Sequence, residues 1–225
     1  MSSIASAPAL RYRDGVRAGL AVAATVWFFG ASFGLVARAA GMGIAAPLVM
    51  SATTFAGSAQ FAATSILGTS ASAVAAIAAA VLLNARYVPI SISVARLFHG
   101  RRLRRLAESQ LIVDESWALA SRGEGRFDRR ILLGAGLLLY VSWVSGTVVG
   151  VLAGRALGNP KDMGLDGAFP ALFLALLVPQ LRTRQATVAA LAGAAIALVL
   201  IPVTPPGTPI VAASLACLLG LRSRP

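Results

Sequence analysis

The stretch IAAPLVMSATTFAGSAQFAATSILGT, residues 44 to 69, decides what kind of fold this chain adopts. It carries no charged side chain from end to end, and it exceeds the about 20 residues that one helix needs to cross a bilayer. Its centre nevertheless reads Phe55-Ala-Gly-Ser-Ala-Gln-Phe61, preceded by Thr53 and Thr54. Glycine next to serine is a common site of helix interruption. Two readings follow: one full span, or two half-helices that enter and leave on the same side.

Working outward, further apolar runs cover residues 15 to 38, 72 to 95, 131 to 154, 167 to 181, 185 to 203 and 208 to 221. All read as helices, because a segment in lipid must satisfy its own backbone hydrogen bonds. None has the short alternating pattern of a barrel strand. The expectation is an all-α polytopic membrane bundle of six or seven spans, with an interrupted, re-entrant helix around 55 to 61. It comprises a cytoplasmic N-terminus (1 to 14), one membrane transport domain (15 to 221) that includes a cytoplasmic loop (96 to 130), and a C-terminal tail (222 to 225). Residues 1 to 14 lack the apolar core of a signal peptide, so the first run reads as a retained span.

Composition agrees. Of 225 residues, 57% are hydrophobic and 12% charged, against about 25% charged in soluble domains, and the mean hydropathy is +0.79. So few polar side chains cannot clothe a body of this size in water, which excludes a soluble enzyme. The net charge of +12 would suggest nucleic acid in a soluble protein. Here the arginines fall between apolar runs, and no aromatics alternate with those of RLFHGRRLRRL (96 to 106), so the charge reads as the positive-inside bias of a membrane protein. A single Cys217 and a single His99 leave no disulfide and no zinc site. No cofactor is expected.

The same bias arbitrates the central segment. With a re-entrant 44 to 69 and an internal N-terminus, sixteen basic residues lie inside and three, Arg38, Arg155 and Lys161, outside. A full span with an external N-terminus gives fourteen to five. The first arrangement also places Arg11, Arg13 and Arg17 on the preferred side, and we favour it. The loop 96 to 130 is too long and too apolar in its middle to be formless, and is expected to fold as a helical element at the inner interface.

Small residues recur four apart at Gly15 and Gly19, Gly30 and Gly34, and Ser142, Gly146, Gly150 and Gly154. Such stripes let helix backbones approach in lipid, either within the chain or against a second subunit.

Arg86, in VLLNARYVP (81 to 89), lies nine residues from Ala95, about 13 Å from the helix end, too deep to snorkel fully. Pro89 removes a hydrogen bond and displaces the carbonyl of Ala85, so the backbone opens beside the cation. Arg86, Asn84 and Tyr87 with this freed backbone suit a carboxylate. The alternative is a structural ion pair with Asp114 or Glu115 folding back from the loop. Those two acids read equally as coupling groups, as acids at a helix N-terminus, or as solvated charge. Trp117 and Trp143 read as interface or packing residues and His99 as solvated. No Walker loop, Gly-x-Ser-x-Gly or His-Glu-x-x-His occurs, so no enzymatic centre is expected.

Five motifs stand in order: Phe55-Ala-Gly-Ser-Ala-Gln-Phe61, Asn84-Ala-Arg-Tyr87, Val113-Asp-Glu115, Ser142-Trp-Val-Ser-Gly-Thr-Val-Val-Gly150 and Phe169-Pro-Ala-Leu-Phe173. In order and spacing they resemble the AzlC-type large subunits of bacterial branched-chain amino acid exporters, from about Tyr12 to Leu221. The resemblance implies a multi-pass protein of the bacterial inner membrane. It also implies a small multispanning AzlD-type partner and export of valine, leucine, isoleucine or methionine. Gly57, Ser58 and Gln60 match the family's break, Arg86 its arginine, and Asp114 and Glu115 its acidic pair. Asn84 stands where some members carry Asp, so coupling through that position is not implied.

A zwitterionic substrate then finds donors at Arg86 or at the half-helix N-terminus near Gly57 to Gln60. Its ammonium finds acceptors at the carbonyls near Ala85 with Gln60 or Thr54, and its side chain finds walls at Phe55 and Phe61. With no nucleotide-binding motif, the proton motive force is the expected drive. A passive channel and a scaffold subunit are the rival classes.

Overall fold

The computed structural model describes residues 11–68, 72–123, 125–156, 183–204 and 208–216, with isolated positions at 174, 177, 178 and 181. Among these the architecture is helical, with one isolated antiparallel bridge between Ser121 and Phe127. Among the described residues two helices are long and apolar enough to cross a membrane, or three spans if a bent pair counts as one. The two helices are α1 (Tyr12–Ala39) and α8 (Arg129–Ala156). Between them lie α2 (Ala45–Thr53), α3 (Gly57–Gly68), α4 (Ala73–Asn84), α5 (Tyr87–Val94), α6 (Arg102–Ser109) and α7 (Asp114–Ala120).

Among the described residues the contact between α1 and α8 is the most extensive, and glycine makes it. A Cβ added at Gly15 would fall 2.5 Å from the Ile131 carbonyl oxygen, and one at Gly146 or Gly150 would land on the carbonyl oxygens of Trp27 and Ala31. The helices therefore touch backbone to backbone, as small residues in lipid allow. Of the two readings of the stripe at 146, 150 and 154, packing within the chain is the one these contacts match, since α1 lies against all three glycines. The pairing also fixes direction. Gly15 meets Ile131 and Gly154 meets Arg38, so the numbers rise together and the two helices run parallel over about 35 Å.

Two parallel spans require the chain between them to make a net single crossing, and α4 with α5 makes it. This pair is bent by 42° at Ala85 and Arg86, where Pro89, lacking an N–H, sits in the first turn of α5. Beyond the bend, Val94 and Phe98 pack with Ile131 and Leu132 at the start of α8. The segment from Ala45 to Gly68, in contrast, begins and ends where α1 ends. Thr64 Oγ1 lies 3.7 Å from Met42 Sδ, and a Cβ on Gly68 would sit 3.1 Å from Ala40. The break between α2 and α3 lies midway along α8, where Phe55 meets the ring of Tyr140. The full-span reading of 44 to 69 does not fit these contacts.

The loop 96 to 130 folds into α6 and α7, but it is no flat interfacial layer. Its turn runs into the body, with the Leu111 carbonyl against Gly136 and Gln110 Nε2 donating to the Thr53 carbonyl at 2.8 Å. Farther on, Arg184–Leu200 packs on Thr208–Ser214, which rests on α4. At 17 residues the first of these is shorter than the two long helices. Most of the expected span 167 to 181, the motif 169 to 173, Cys217 and both termini lie outside the described residues.

Candidate functional site

The break between α2 and α3 is held by a buried polar network. Gln60, fully buried, accepts the Ala56 N–H at 3.1 Å and donates to Ser51 Oγ at 3.1 Å. Trp143 Nε1 donates to the same oxygen at 3.1 Å. Ser51 lies 2.9 Å from Thr147 Oγ1, which itself donates to the Trp143 carbonyl at 2.9 Å, so the Ser51 proton goes to Thr147. Tyr140 Oη caps the Ala52 carbonyl at 2.8 Å. Backbone groups freed by the interruption thus find side-chain partners, the condition for irregular backbone at membrane depth. Phe55 takes a left-handed conformation with φ of 42°, which a bulky residue adopts only when its surroundings force it.

Beneath this break lies a cavity of about 680 Å³, within the range of small-molecule sites. One wall is apolar: Val26 and Phe29 from α1, Phe55 and Phe61 at the break, Leu139 and Trp143 from α8. Trp143 stacks on Phe33 at 6.0 Å and meets Phe61 edge-on at 6.3 Å. The other wall is charged, with Arg86 and Tyr87 at the α4–α5 bend and Asp114 and Glu115 opening α7. Arg86 Nη2 is 3.0 Å from Asp114 Oδ2, each side chain about 40% exposed (42% and 41%). The guanidinium also lies 5.3 Å from the centre of the Tyr87 ring. Glu115 faces the open cavity, yet the surrounding protein strips water from it and pushes its carboxyl above the usual carboxylate range, with the Asp114 charge acting in the same direction. Gly57 and Ser58 bring the first turn of α3 to the cavity. Ser58 Oγ is buried without a hydrogen-bond partner among the described residues.

Eight expected residues therefore share one cavity: Phe55, Gly57, Ser58, Phe61, Arg86, Tyr87, Asp114 and Glu115. Three of the expected residues do not line it. Gln60 is consumed in bracing the break. Thr54 is exposed outside the cavity. Asn84 ends α4 with its Oδ1 buried and without a hydrogen-bond partner among the described residues. The Ala85 carbonyl is not left open either, since it accepts the Val88 N–H at 3.1 Å. Of the two readings of Arg86, the geometry has it paired with Asp114. The sequence reading missed Trp143 and Leu139 as cavity walls. Their spacing with Thr147, four residues apart on α8, was the available signal, since it puts all three on one face.

Helices long and apolar enough to cross a membrane thus surround a cavity that opposes a charged wall to an aromatic one, the arrangement of a helical membrane protein. The chain belongs to the AzlC family, whose model, described as AzlC protein, matches residues 21–157. It is 34% identical over 187 residues to an uncharacterized membrane protein of Archaeoglobus fulgidus, covering 82% of each chain. To the inner membrane protein YgaZ of Escherichia coli it is 29% identical over 178 residues, 72% of this chain and 71% of that one. To the branched-chain amino acid transport protein AzlC of Bacillus subtilis it is 26% identical over 173 residues, 74% and 66% of the two chains. No solved structure matches the chain.

Proposed function

We propose that this chain is the large subunit of a two-component secondary exporter of branched-chain amino acids in the bacterial inner membrane. It carries valine, leucine, isoleucine or methionine and is driven by the proton motive force. It crosses the membrane six or seven times, works with a small AzlD-type subunit, needs no cofactor and catalyses no covalent chemistry. The observation that carries this reading is the cavity's division into a charged wall and an apolar wall. A zwitterion with a branched side chain needs both at once.

The roles follow from the chemistry. Arg86 offers a planar fork for the carboxylate, supported by the Ser58 hydroxyl and the free amides of the first turn of α3, which carry the positive end of the helix dipole. Asp114 and Glu115 accept the ammonium. Val26, Phe29, Phe55, Phe61, Leu139 and Trp143 receive the side chain. The Arg86–Asp114 pair holds each charged group for the substrate in the empty cavity, and a zwitterion inserted between them replaces one ion pair by two. Burying a charge alone is costly, so substrate entry without both partners is disfavoured. Glu115, held protonated to higher pH than an ordinary carboxyl, is the group through which proton and substrate compete.

The test is efflux of labelled valine, leucine and methionine from cells expressing this chain, with and without a short multispanning protein encoded beside it. The expected result is saturable efflux that needs both chains and collapses with the proton gradient. Arg86→Lys keeps the charge and loses the fork, and should cut transport about tenfold or more, the effect of about 1.4 kcal/mol. Flux that neither saturates nor follows the gradient would make the protein a passive channel. If Arg86→Ala together with Asp114→Ala restored full transport, Arg86 would be a structural partner only.

A further inference from the structure

The basic helix α6, Arg102–Ser109, divides its arginines between two tasks. Arg104 Nε bonds Glu108 Oε1 at 2.7 Å, and Arg129 reaches the same oxygen from α8, so Arg104 belongs to a strut that ties α6 to the start of α8. Arg102 and Arg105 point elsewhere. With Leu106 and Ser109 they form the i, i+3, i+4, i+7 face of the helix, and that face lines a second groove of about 370 Å³ with Ser91, Ala95, Phe98 and Ile112. Neither Arg102 nor Arg105 has an acidic partner among the described residues.

We infer that this groove holds one anionic phospholipid of the surrounding leaflet, with its phosphate between Arg102 and Arg105 and an acyl chain along Ala95, Phe98, Leu106 and Ile112. Three observations converge on that occupant. The groove joins two positive charges and the Ser91 hydroxyl to an apolar floor, which matches the division of a lipid into head and chain, while the Ser109 hydroxyl donates to the Leu106 carbonyl at 2.8 Å. It lies where the bent α4–α5 span ends, at the arginine-rich end of the molecule, the level at which headgroups meet hydrocarbon. Leu103 and Leu106 are 81% and 66% exposed on the same short helix. Leucines beside arginines on an amphipathic helix sink into the interface while the charges stay with the phosphates. A basic pocket beside a spanning helix is a site for anionic headgroups. Through the Glu108 strut, a lipid held here would also brace α6, and with it the turn that carries α7 and its acids to the cavity.

The experiment uses the purified full chain, stripped of lipid and titrated with dioleoyl phosphatidylglycerol or dioleoyl phosphatidylcholine, with bound lipid counted by native mass spectrometry. The wild type should retain the anionic lipid in preference by about 30-fold, the effect of two arginines near a membrane surface. Arg102→Gln with Arg105→Gln should bring that preference close to one. Arg101→Gln with Arg122→Gln removes the same charge from the same end and should leave it intact. Equal loss in both double variants would reduce the effect to general charge and overturn the site. So would a preference that survives Arg102→Gln with Arg105→Gln. Displacement of the lipid by millimolar glycerol phosphate would assign the arginines to a soluble phosphate instead. All these side chains are on the surface, and α-helical circular dichroism of each variant confirms that it is folded before the titration.

Discussion

Ser51 shows how a single hydroxyl sustains an interrupted helix. It accepts from Gln60 and Trp143 and bonds Thr147, so one small residue satisfies three buried partners on α3 and α8. Gln60 was legible in the sequence as a polar residue at membrane depth, but its role was not. A glutamine there can face a ligand or brace a backbone, and only the position of Ser51, Ala56 and Trp143 distinguishes the two. Arg86 is similar: its depth marked it as a residue in need of a partner, and folding selected Asp114 from the candidates. A second charged site lies outside the membrane spans. Glu108 takes bonds from Arg104 and Arg129. Burial opposes ionisation there, but those two guanidiniums prevail and hold its carboxyl below the ordinary 4.5. A depressed carboxyl contributes stability above its unfolded value and loses it as pH falls through the folded one. At pH 7 Glu108→Gln should therefore lower the unfolding temperature by on the order of 5 °C. The gap to the wild type should narrow once pH drops below 4.5. Thermal unfolding in detergent from pH 7 to pH 3 measures it, and a gap that stays constant would show that the strut does not involve ionised Glu108.

At the scale of elements, the parallel pair α1 and α8 is the frame on which the rest hangs. The glycine spacing announced that helices would meet closely, but a stripe does not name its partner. Two stripes in one chain satisfy each other when the intervening segments return the chain to its starting side, and here they do. Gly150→Leu should therefore disrupt the chain itself. Its side chain would collide with the Ala31 carbonyl, and forcing in such volume costs about 1–3 kcal/mol or more. Val149→Leu, on the exposed side of α8, should be tolerated. Size-exclusion profiles and protease resistance in detergent decide this. A Gly150→Leu chain that stays folded alone but fails to hold the proposed small subunit where the wild type does would mean that the stripe serves a subunit contact after all.

For the whole molecule, the re-entrant segment makes a prediction about sides. Single cysteines at Arg104 and Ser72 in a Cys217→Ala background should react differently with an impermeant thiol reagent applied to intact cells. Ser72, beside the point where α3 emerges, should label from outside. Arg104, on the loop with nine arginines between 96 and 130, should label only after the membrane is opened. Labelling of both from the same side would mean that Ala73–Leu97 does not cross, and that the positive-inside count assigns the wrong topology.

The sequence by itself determined the solvent. Hydropathy and charge are sums over residues, so a 57% hydrophobic chain whose arginines, Arg86 apart, cluster at the ends of apolar runs and between them must be a helical membrane protein. It also marked where helices break, near Gly57 and before Pro89, although the residue that leaves the helical conformation is Phe55, while Gly57 and Ser58 begin α3. Tertiary structure alone decided which distant groups share a space. That Asp114 reaches Arg86, that Gln60 turns away from the cavity while Trp143 turns into it, and that α1 fills the stripe on α8 all depend on the direction in which α8 returns alongside α1. Direction is set by a count of crossings, and one ambiguous segment is enough to reverse it.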